Sequence, residues 1–398
     1  MTTAISTPPE VLRARMVDLI TQARPTLPRV EDALRTVERH RYVPDSPVEE
    51  AYNVDLAVIT KRASDGAALS CASVPSLVAS MLDQLAVNPG DRILEIGAGT
   101  GYNAALLAYL TGPTGQVTTI DIDEEVTAGA RRHLDATGYQ HVRVITRDGA
   151  LGDEACAPYD RIIVTVGPWD IPAAWWDQLA PGGRMVVPLR WRGQTRSIAF
   201  VKEENGLLRS ESVELCGFVP MVGQAGEHSS PIDPDGHVSL YWDADQPINP
   251  DALRGVCGEA KTSTWSDTVV RGDESFDGIW LRLTAAEPGT CRITAHSDAV
   301  KAGLCTPAIP VRSPAIVEGS SLAYLALRRA GGTDPRWQLG AIGHGADGAA
   351  LAGRLCAQIH EWNRDRAAQP TITAYRPFEE PDGHVVVKDS VRLVVSYR

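Results

Sequence analysis

Apolar positions recur at helical spacing near the start of the chain, at Val11, Leu12, Met16, Leu19 and Ile20 after Pro9, and at Val30, Ala33, Leu34 and Val37 after the Arg24-Pro25 break. Two scaffold helices are predicted, the first opened by a proline that suits the first helical position. Arg41 to Pro75 shows little periodicity, three prolines and a Gly66 break. Irregular chain of that length in a compact domain tends to carry function. Val74, Leu77, Val78, Met81, Leu82 and Leu85 then restore one apolar face, which makes Ser73 a candidate N-cap with Pro75 in the first turn. A β-rich run follows at Arg92 to Ile96, then glycines at 97, 99 and 101, then an apolar helix pattern from Tyr102 to Leu110.

The strand and helix order repeats beyond that turn. Gln116 to Asp121 reads as a strand, and Asp123 to Thr137 as a helix capped by Asp123 and ended near Gly138. His141 to Thr146 and Ala157 to Val166 read as further strands, IPAAWWDQL as a helix and APGGRMVVP as a strand. Alternation of this kind predicts an α/β fold with a doubly wound, mainly parallel sheet. Ser197 to Lys202 and Ser212 to Val219 finish the sheet, and His228 to His237 reads as a linker rich in Pro, Ser, Asp and Gly. Past it, short strands at Val238 to Trp242, Ile279 to Leu283 and Val391 to Tyr397 accompany two helix patterns, the better at Ala349 to Trp362. A smaller C-terminal α+β domain is predicted, and the expected division is 1–75, 76–228 and 229–398.

Composition adds exclusions. The 398 residues are 43% hydrophobic and 22% charged, as in globular proteins, and the length suits two or three domains. A net charge of −12 argues against general nucleic-acid binding, because a phosphate-binding face needs excess Lys and Arg. Arg190, Arg192 and Arg196 form a small basic cluster, either a solvated strand face or a lure for an acidic peptide. Seven cysteines without a C-x-x-C pair point to a reducing cytoplasm, and nine histidines without ligand spacing imply no metal. The first residues lack an apolar leader core and no run approaches 18 apolar residues, so neither signal peptide nor membrane span is expected.

The chemistry centres on the turn after Ile96. A dinucleotide turn reads G-x-G-x-x-G, whereas here Gly101 comes one place early, Tyr102 fills the slot, and Glu95 stands two residues before Gly97. A pyrophosphate wants helix-terminal N–H groups and no nearby acid. Glu95 suits a cationic ligand instead. E-x-G-x-G-x-G after a buried strand resembles motif I of the class I S-adenosylmethionine methyltransferases, which implies a Rossmann-like sheet and S-adenosylmethionine as cofactor, held by Glu95, Gly97, Gly99, Gly101 and Tyr102. Asp121, about 20 residues further on, is then the ribose acid. Asp148-Gly149 after the third strand lies by the adenine in that scheme, or is simply a turn, and Thr165 at the end of strand four lies near the transferred methyl.

RYVP, EEAY, the Gly66 to Pro75 segment, PYDRIIVT, IPAAWWDQL and PGGRMVVP, in that order, resemble the protein-L-isoaspartate O-methyltransferases. In that family a serine before the proline stands beside the reacting carboxylate. Matching on Pro75 gives Ser73, and matching on Gly66 favours Ser70. Asp55 to Ser70 and Glu214 to Met221 look like a longer subgroup that methylates an aspartate in ribosomal peptides made by lanthipeptide synthetases or ATP-grasp ligases. The resemblance implies a carboxyl O-methyltransferase acting on an aspartate-containing peptide or protein, with aspartimide or isoaspartate as the sequel. Two other readings stand beside it, a general isoaspartate repair enzyme and a binding module without turnover. The sequence leaves the oligomeric state open.

Overall fold

The structure is a computed structural model that describes residues 7–64, 66–331 and 336–397. The amino-terminal six residues and Asp65 of the sequence reading lie outside them. The chain divides into two compact units, 1–189 with 196–222, and 190–195 with 223–398.

Unit 1 begins with α1 (Pro9–Ala23), α2 (Pro28–Thr36), the short α3 (Val48–Ala51), strands β1 (Val58–Arg62) and β2 (Ala68–Ala72), and α4 (Pro75–Leu85). The core alternation follows as β3 (Arg92–Ile96), α5 (Tyr102–Thr111), β4 (Gln116–Asp121), α6 (Glu124–Ala136), β5 (Arg143–Thr146), β6 (Tyr159–Val164), α7 (Ala173–Gln178), β7 (Leu179–Trp191), β8 (Gln194–Lys202) and β9 (Leu208–Leu215). The strand order is β9-β8-β7-β6-β3-β4-β5, with β7, β6, β3, β4 and β5 parallel and β9 antiparallel to β8. This is the doubly wound order, with β3 at the centre.

Buried surface explains why the alternation was readable. Leu94 and Ile96 on β3 are almost wholly buried, and Leu106, Leu107 and Ala108 of α5 are enclosed as well. Strands covered on both faces read as continuous apolar runs. In α1 the inward face is Met16, Val17 and Ile20, while Val11 and Leu19 of the expected stripe are exposed. In α4 the cap position is Val74, with no side-chain cap bond, so Ser73 is not the N-cap expected from sequence. Because the helix opens at Pro75, the cap position falls one residue after Ser73, on a valine whose side chain has no acceptor for the second and third N–H groups. Arg41 to Pro75 is also more regular than expected: β1 and β2 form an antiparallel hairpin whose register shifts at Ile59/Lys61 and Lys61/Arg62 hide the alternation.

Unit 2 carries β10 (Glu227–Pro231), β11 (Val238–Asp243), β12 (Lys261–Arg271), α8 (Gly278–Ala286), β13 (Thr290–Ala295), α9 (Ser297–Lys301), β14 (Ser313–Glu318), β15 (Ser321–Arg329), β16 (Arg336–His344), α10 (Gly348–Arg364), β17 (Thr371–Tyr375), β18 (Val385–Val387) and β19 (Arg392–Ser396). Seven strands pair in the antiparallel order β10-β11-β13-β14-β15-β16-β12, and β19 pairs antiparallel with β17 and β18. Along β15, Ala323 and Leu325 face a core shared with α8 and α10, while Leu322 and Tyr324 face a second core. The sheet is thus buried on both faces, an additional α+β unit as expected.

Three sequence expectations change here. His228 to Pro231, read as linker, belongs to the edge strand β10. Ile279 to Leu283, read as a strand, lies in helix α8, because Ile279 and Leu283 stand four apart in one core and short apolar runs do not distinguish the two states. The basic cluster is not a free face: Arg192 is 2% exposed and bonded to Asp243 and Asp245, Arg190 pairs with Glu227 at 3.2 Å, and Arg196 is buried in unit 1. Burial of two guanidinium groups holds only because acids lie beside them or polar partners satisfy them.

Candidate active site

Strand β3 delivers the chain to a corner tied to its neighbour. Gly97 N and Ala98 N both donate to Ile120 O at the end of β4, at 2.7 and 3.0 Å, and Gly101 N closes the turn onto Ala98 O at 2.9 Å. The three glycines have different tasks. Gly97 has φ +100, and a Cβ there would stand 2.6 Å from Thr165 Oγ1 and 3.1 Å from Val166 Cγ1. Gly101, at φ +85, would press a Cβ to 3.1 Å from Ala130 O of α6, so it serves helix packing and does not line the cleft. Gly99, at φ +50, has only Cys71 O within 4 Å of its Cβ position, at 3.4 Å, and it faces open space.

Two adjoining cavities lie along this corner. The first is bounded by Ser70, Ser73, Glu95, Gly99, Asn103 and Thr165. The second runs past Ile122, Asp148, Gly149, Met221 and Val222. Asp121 borders both. A cleft with bare main chain and acids along one side and apolar side chains along the other suits an elongated small ligand. Ile122, Val222 and Leu69 line the second cavity yet are 52%, 63% and 47% exposed, an apolar cradle that a flat ring would cover.

Glu95 is fully buried. Its Oε1 accepts a hydrogen bond from Asn103 Nδ2 at 2.7 Å, and its Oε2 has no hydrogen-bonding partner. Burial, opposed by contacts with Thr119 and Asn103 and reinforced by the Asp121 charge, pushes the carboxyl up to about 7. The sequence suggested a ready anion; the structure instead holds an acid poised near neutrality, which a cation beside it would ionise. Asp121 accepts from Gly99 N at 3.3 Å and Asp123 N at 3.2 Å, and burial raises its pKa against those bonds.

The remaining expected residues fall around this axis. Thr165 Oγ1 bonds Gly97 O at 2.7 Å, so its hydroxyl braces the turn. Asp148 accepts from Ala150 N at 2.9 Å as the cap of a short 3-10 turn, and Gly149 leaves room for Ile96, whose Cγ2 would lie 2.6 Å from an added Cβ. The turn role of Asp148 and its place on the cavity coexist. Tyr102 is buried with its ring 5.6 Å from Tyr42 and under the Arg39 guanidinium at 5.0 Å. Ser70 accepts from Thr60 Oγ1 at 3.3 Å, and Ser73 lies at the mouth of the hairpin, its carbonyl accepting from Arg39 at 2.7 Å.

Sequence reasoning missed the parts that fix this hairpin. Arg39 also bonds Ala51 O and Ala72 O, at 2.7 and 3.1 Å. Lys61 Nζ reaches Asp123 Oδ2 and Glu125 Oε2, both at 2.7 Å, and so ties β1 to the start of α6. Neither cation stands in a motif with its partners. Asn103 had a readable signal, since a polar residue one place into an otherwise apolar helix needs a partner.

The sequence model of the protein-L-isoaspartate(D-aspartate) O-methyltransferase family matches residues 13–226. A protein-L-isoaspartate O-methyltransferase of Methanopyrus kandleri is 39% identical over 199 residues, half of this chain and 85% of that protein. A second, from Archaeoglobus fulgidus, is 38% identical over 221 residues, 56% of this chain and 97% of that protein. A solved structure titled protein-L-isoaspartate O-methyltransferase covers 96% of this chain and 99% of its own, at TM-score 0.52 and 18% identity, a likeness of fold. Buried acid, bare glycine corner and matched sequence agree: the chain belongs to the protein-L-isoaspartate(D-aspartate) O-methyltransferase family and is an S-adenosylmethionine-dependent carboxyl methyltransferase.

Proposed function

We propose that this enzyme methylates an aspartyl or isoaspartyl side-chain carboxylate in a peptide, and that its own substrate is an aspartate in a ribosomally made peptide under maturation. The observation that carries the reaction is one cleft in which Ser70 and Ser73 face Glu95, Gly99 and Asp121. The peptide assignment is supported by Asp55 to Ser70 and Glu214 to Met221, which resemble the peptide-modifying subgroup, and in this reading the second unit is the part that would hold the precursor. Expected domain roles follow: residues 1–75 contribute the substrate segment, 76–228 the cofactor core, and 229–398 substrate recognition.

S-adenosylmethionine, when bound, supplies a methyl group on a sulfonium centre. Glu95, Gly97 and Gly99 would hold its amino-acid end, since the Glu95 oxygen without a partner could face a positive charge and Gly99 presents bare main chain. Asp121 would accept from the ribose hydroxyls, and Asp148 and Gly149, which line the second cavity with Ile122 and Met221, would border the adenine. Gly101 and Tyr102 fix the corner from behind, and Thr165 closes its floor. The acceptor carboxylate has an ordinary pKa near 4 and is ionised at neutral pH, so no general base is needed. Ser70 or Ser73 orients it by a hydroxyl hydrogen bond, and the hairpin excludes water. Positioning of this kind is worth about 7–11 kcal/mol of a barrier.

The ester carries a better leaving group than the acid, and attack by the next backbone nitrogen expels methanol and closes an aspartimide, which hydrolyses to isoaspartate and aspartate. A second reading, repair of isoaspartyl damage, is favoured by the names of the relatives at 38–39% identity. Incubation with the cofactor and either an isoaspartyl peptide or an aspartate-containing cyclised precursor separates the two by mass. Faster esterification of the precursor supports maturation, faster esterification of the isoaspartyl peptide transfers the assignment to repair, and ester on neither removes both.

A further inference from the structure

Unit 2 brings together two short groups of metal-ligating side chains, Asp233, Asp235 and His237 on one turn and His296 and Asp298 on another. Strand β11 pairs with β13 with Val238 opposite Ala295, so the residue before one strand and the residue after the other become neighbours. These are His237 and His296: His296 N donates to His237 O at 2.7 Å, and the two rings stack with centroids 5.2 Å apart. The donor atoms of His237, His296 and Asp298 all lie within 4.8 Å of one another, and so do those of Asp233, Asp235 and His237. His237 is common to both sets.

A second observation singles this cluster out from an ordinary polar corner. Asp233 is 5% exposed, and while its Oδ1 accepts from Val238 N at 2.6 Å, its Oδ2 is buried with no hydrogen-bonding partner. A buried carboxylate oxygen with neither donor nor cation is costly, and a bound cation removes that cost.

We propose that the Asp233–His237 turn and the His296–Asp298 corner bind one divalent first-row transition ion of zinc type, with His237 as the shared ligand. Imidazole nitrogen mixed with carboxylate oxygen favours such ions over calcium or magnesium, which prefer all-oxygen sites. Metal–ligand distances of about 2.0–2.2 Å place tetrahedral donors about 3.4 Å apart. Spacings of up to 4.8 Å need closure by up to about 1.4 Å; exposed Asp235, His296 and Asp298 can supply it by rotamer change, with His296 giving up its long 3.4 Å cap bond from Asp298 N and Asp298 its 3.7 Å pair with Lys301. The ion would pin the β10–β11 turn to the β13–α9 corner, and this inference does not depend on the peptide assigned above.

The test uses the full chain stripped with a chelator, titrated with zinc by calorimetry and analysed for bound metal after gel filtration. One ion per chain and a raised unfolding temperature are expected. His237→Asn should weaken binding at least about 10-fold, and so should the exposed double variant Asp235→Asn/His296→Gln, with unchanged far-ultraviolet dichroism. No saturable zinc uptake, calcium uptake in its place, or wild-type zinc affinity in the folded double variant overturns the proposal.

Discussion

Alanine at each of the three corner glycines should separate packing from ligand binding. Gly97→Ala puts a side chain at φ +100, where an L-residue costs about 1–2 kcal/mol. Its Cβ would stand 2.6 Å from Thr165 Oγ1, so Thr165 must move and its 2.7 Å bond to Gly97 O is lost, adding about 0.5–1.5 kcal/mol. The sum, about 1.5–3.5 kcal/mol, corresponds to a fall of about 3–14 °C in the melting of a unit this size. Gly101→Ala should likewise lower stability, by forcing α5 from Ala130. Gly99→Ala meets nothing closer than Cys71 O at 3.4 Å, so its stability cost is the backbone term alone, about 1–2 kcal/mol. Its methyl enters the cleft, however, and overpacking against a bound ligand costs about 1–3 kcal/mol, or about 5- to 150-fold in affinity. Thermal unfolding and calorimetric titration with S-adenosylhomocysteine read the two effects separately. Wild-type affinity in Gly99→Ala, or wild-type stability in Gly97→Ala, refutes this division of labour.

Glu95 makes a pH prediction. Its folded pKa of about 7 lies above its unfolded value, so between about pH 4.5 and 7 the folded state keeps a proton that the unfolded state has lost, and stability falls as pH rises through that window. The fall attributable to Glu95 is about 3 kcal/mol, and Glu95→Gln should abolish it while weakening S-adenosylhomocysteine binding; a pH–stability curve identical to wild type would sink the assignment. Binding of the cationic ligand should release a proton near neutrality, measurable as a buffer-dependent calorimetric enthalpy. Asp121→Asn should weaken cofactor binding by about 10- to 100-fold through loss of charge-assisted bonds to the ribose, with little change in peptide KM. Of Ser70→Ala and Ser73→Ala, the one that removes the acceptor contact should lower kcat/KM for the peptide and leave S-adenosylhomocysteine affinity intact; full activity in both variants would exclude a serine from that role.

The central sheet was legible because its strands are short apolar runs bounded by glycine turns and acidic caps. The bounds of β3 and β4 agree with the sequence reading residue for residue, and Asp123 caps α6 as expected. What escaped depends on distant partners. The hairpin of β1 and β2 was hidden by its bulged register, and Lys61 and Arg39 act through residues up to 64 positions away. Arg190 and Arg192 looked like a charged face because their acids, Glu227, Asp243 and Asp245, come dozens of residues later. Glu95 was found by its motif, but its raised pKa follows from enclosure that a linear sequence does not display. His237 and His296 meet only through the pairing of β11 with β13. Among the described residues no helix is long and apolar enough to cross a membrane.

The most direct measurement is transfer of a deuterated methyl group from labelled S-adenosylmethionine to a peptide, read by fragment mass spectrometry for the wild-type chain and for the Glu95→Gln/Asp121→Asn double variant. The account predicts a labelled, base-labile ester on one aspartyl or isoaspartyl carboxyl with the wild type, and almost none with the variant. Label on another functional group, or equal transfer by both proteins, would contradict it.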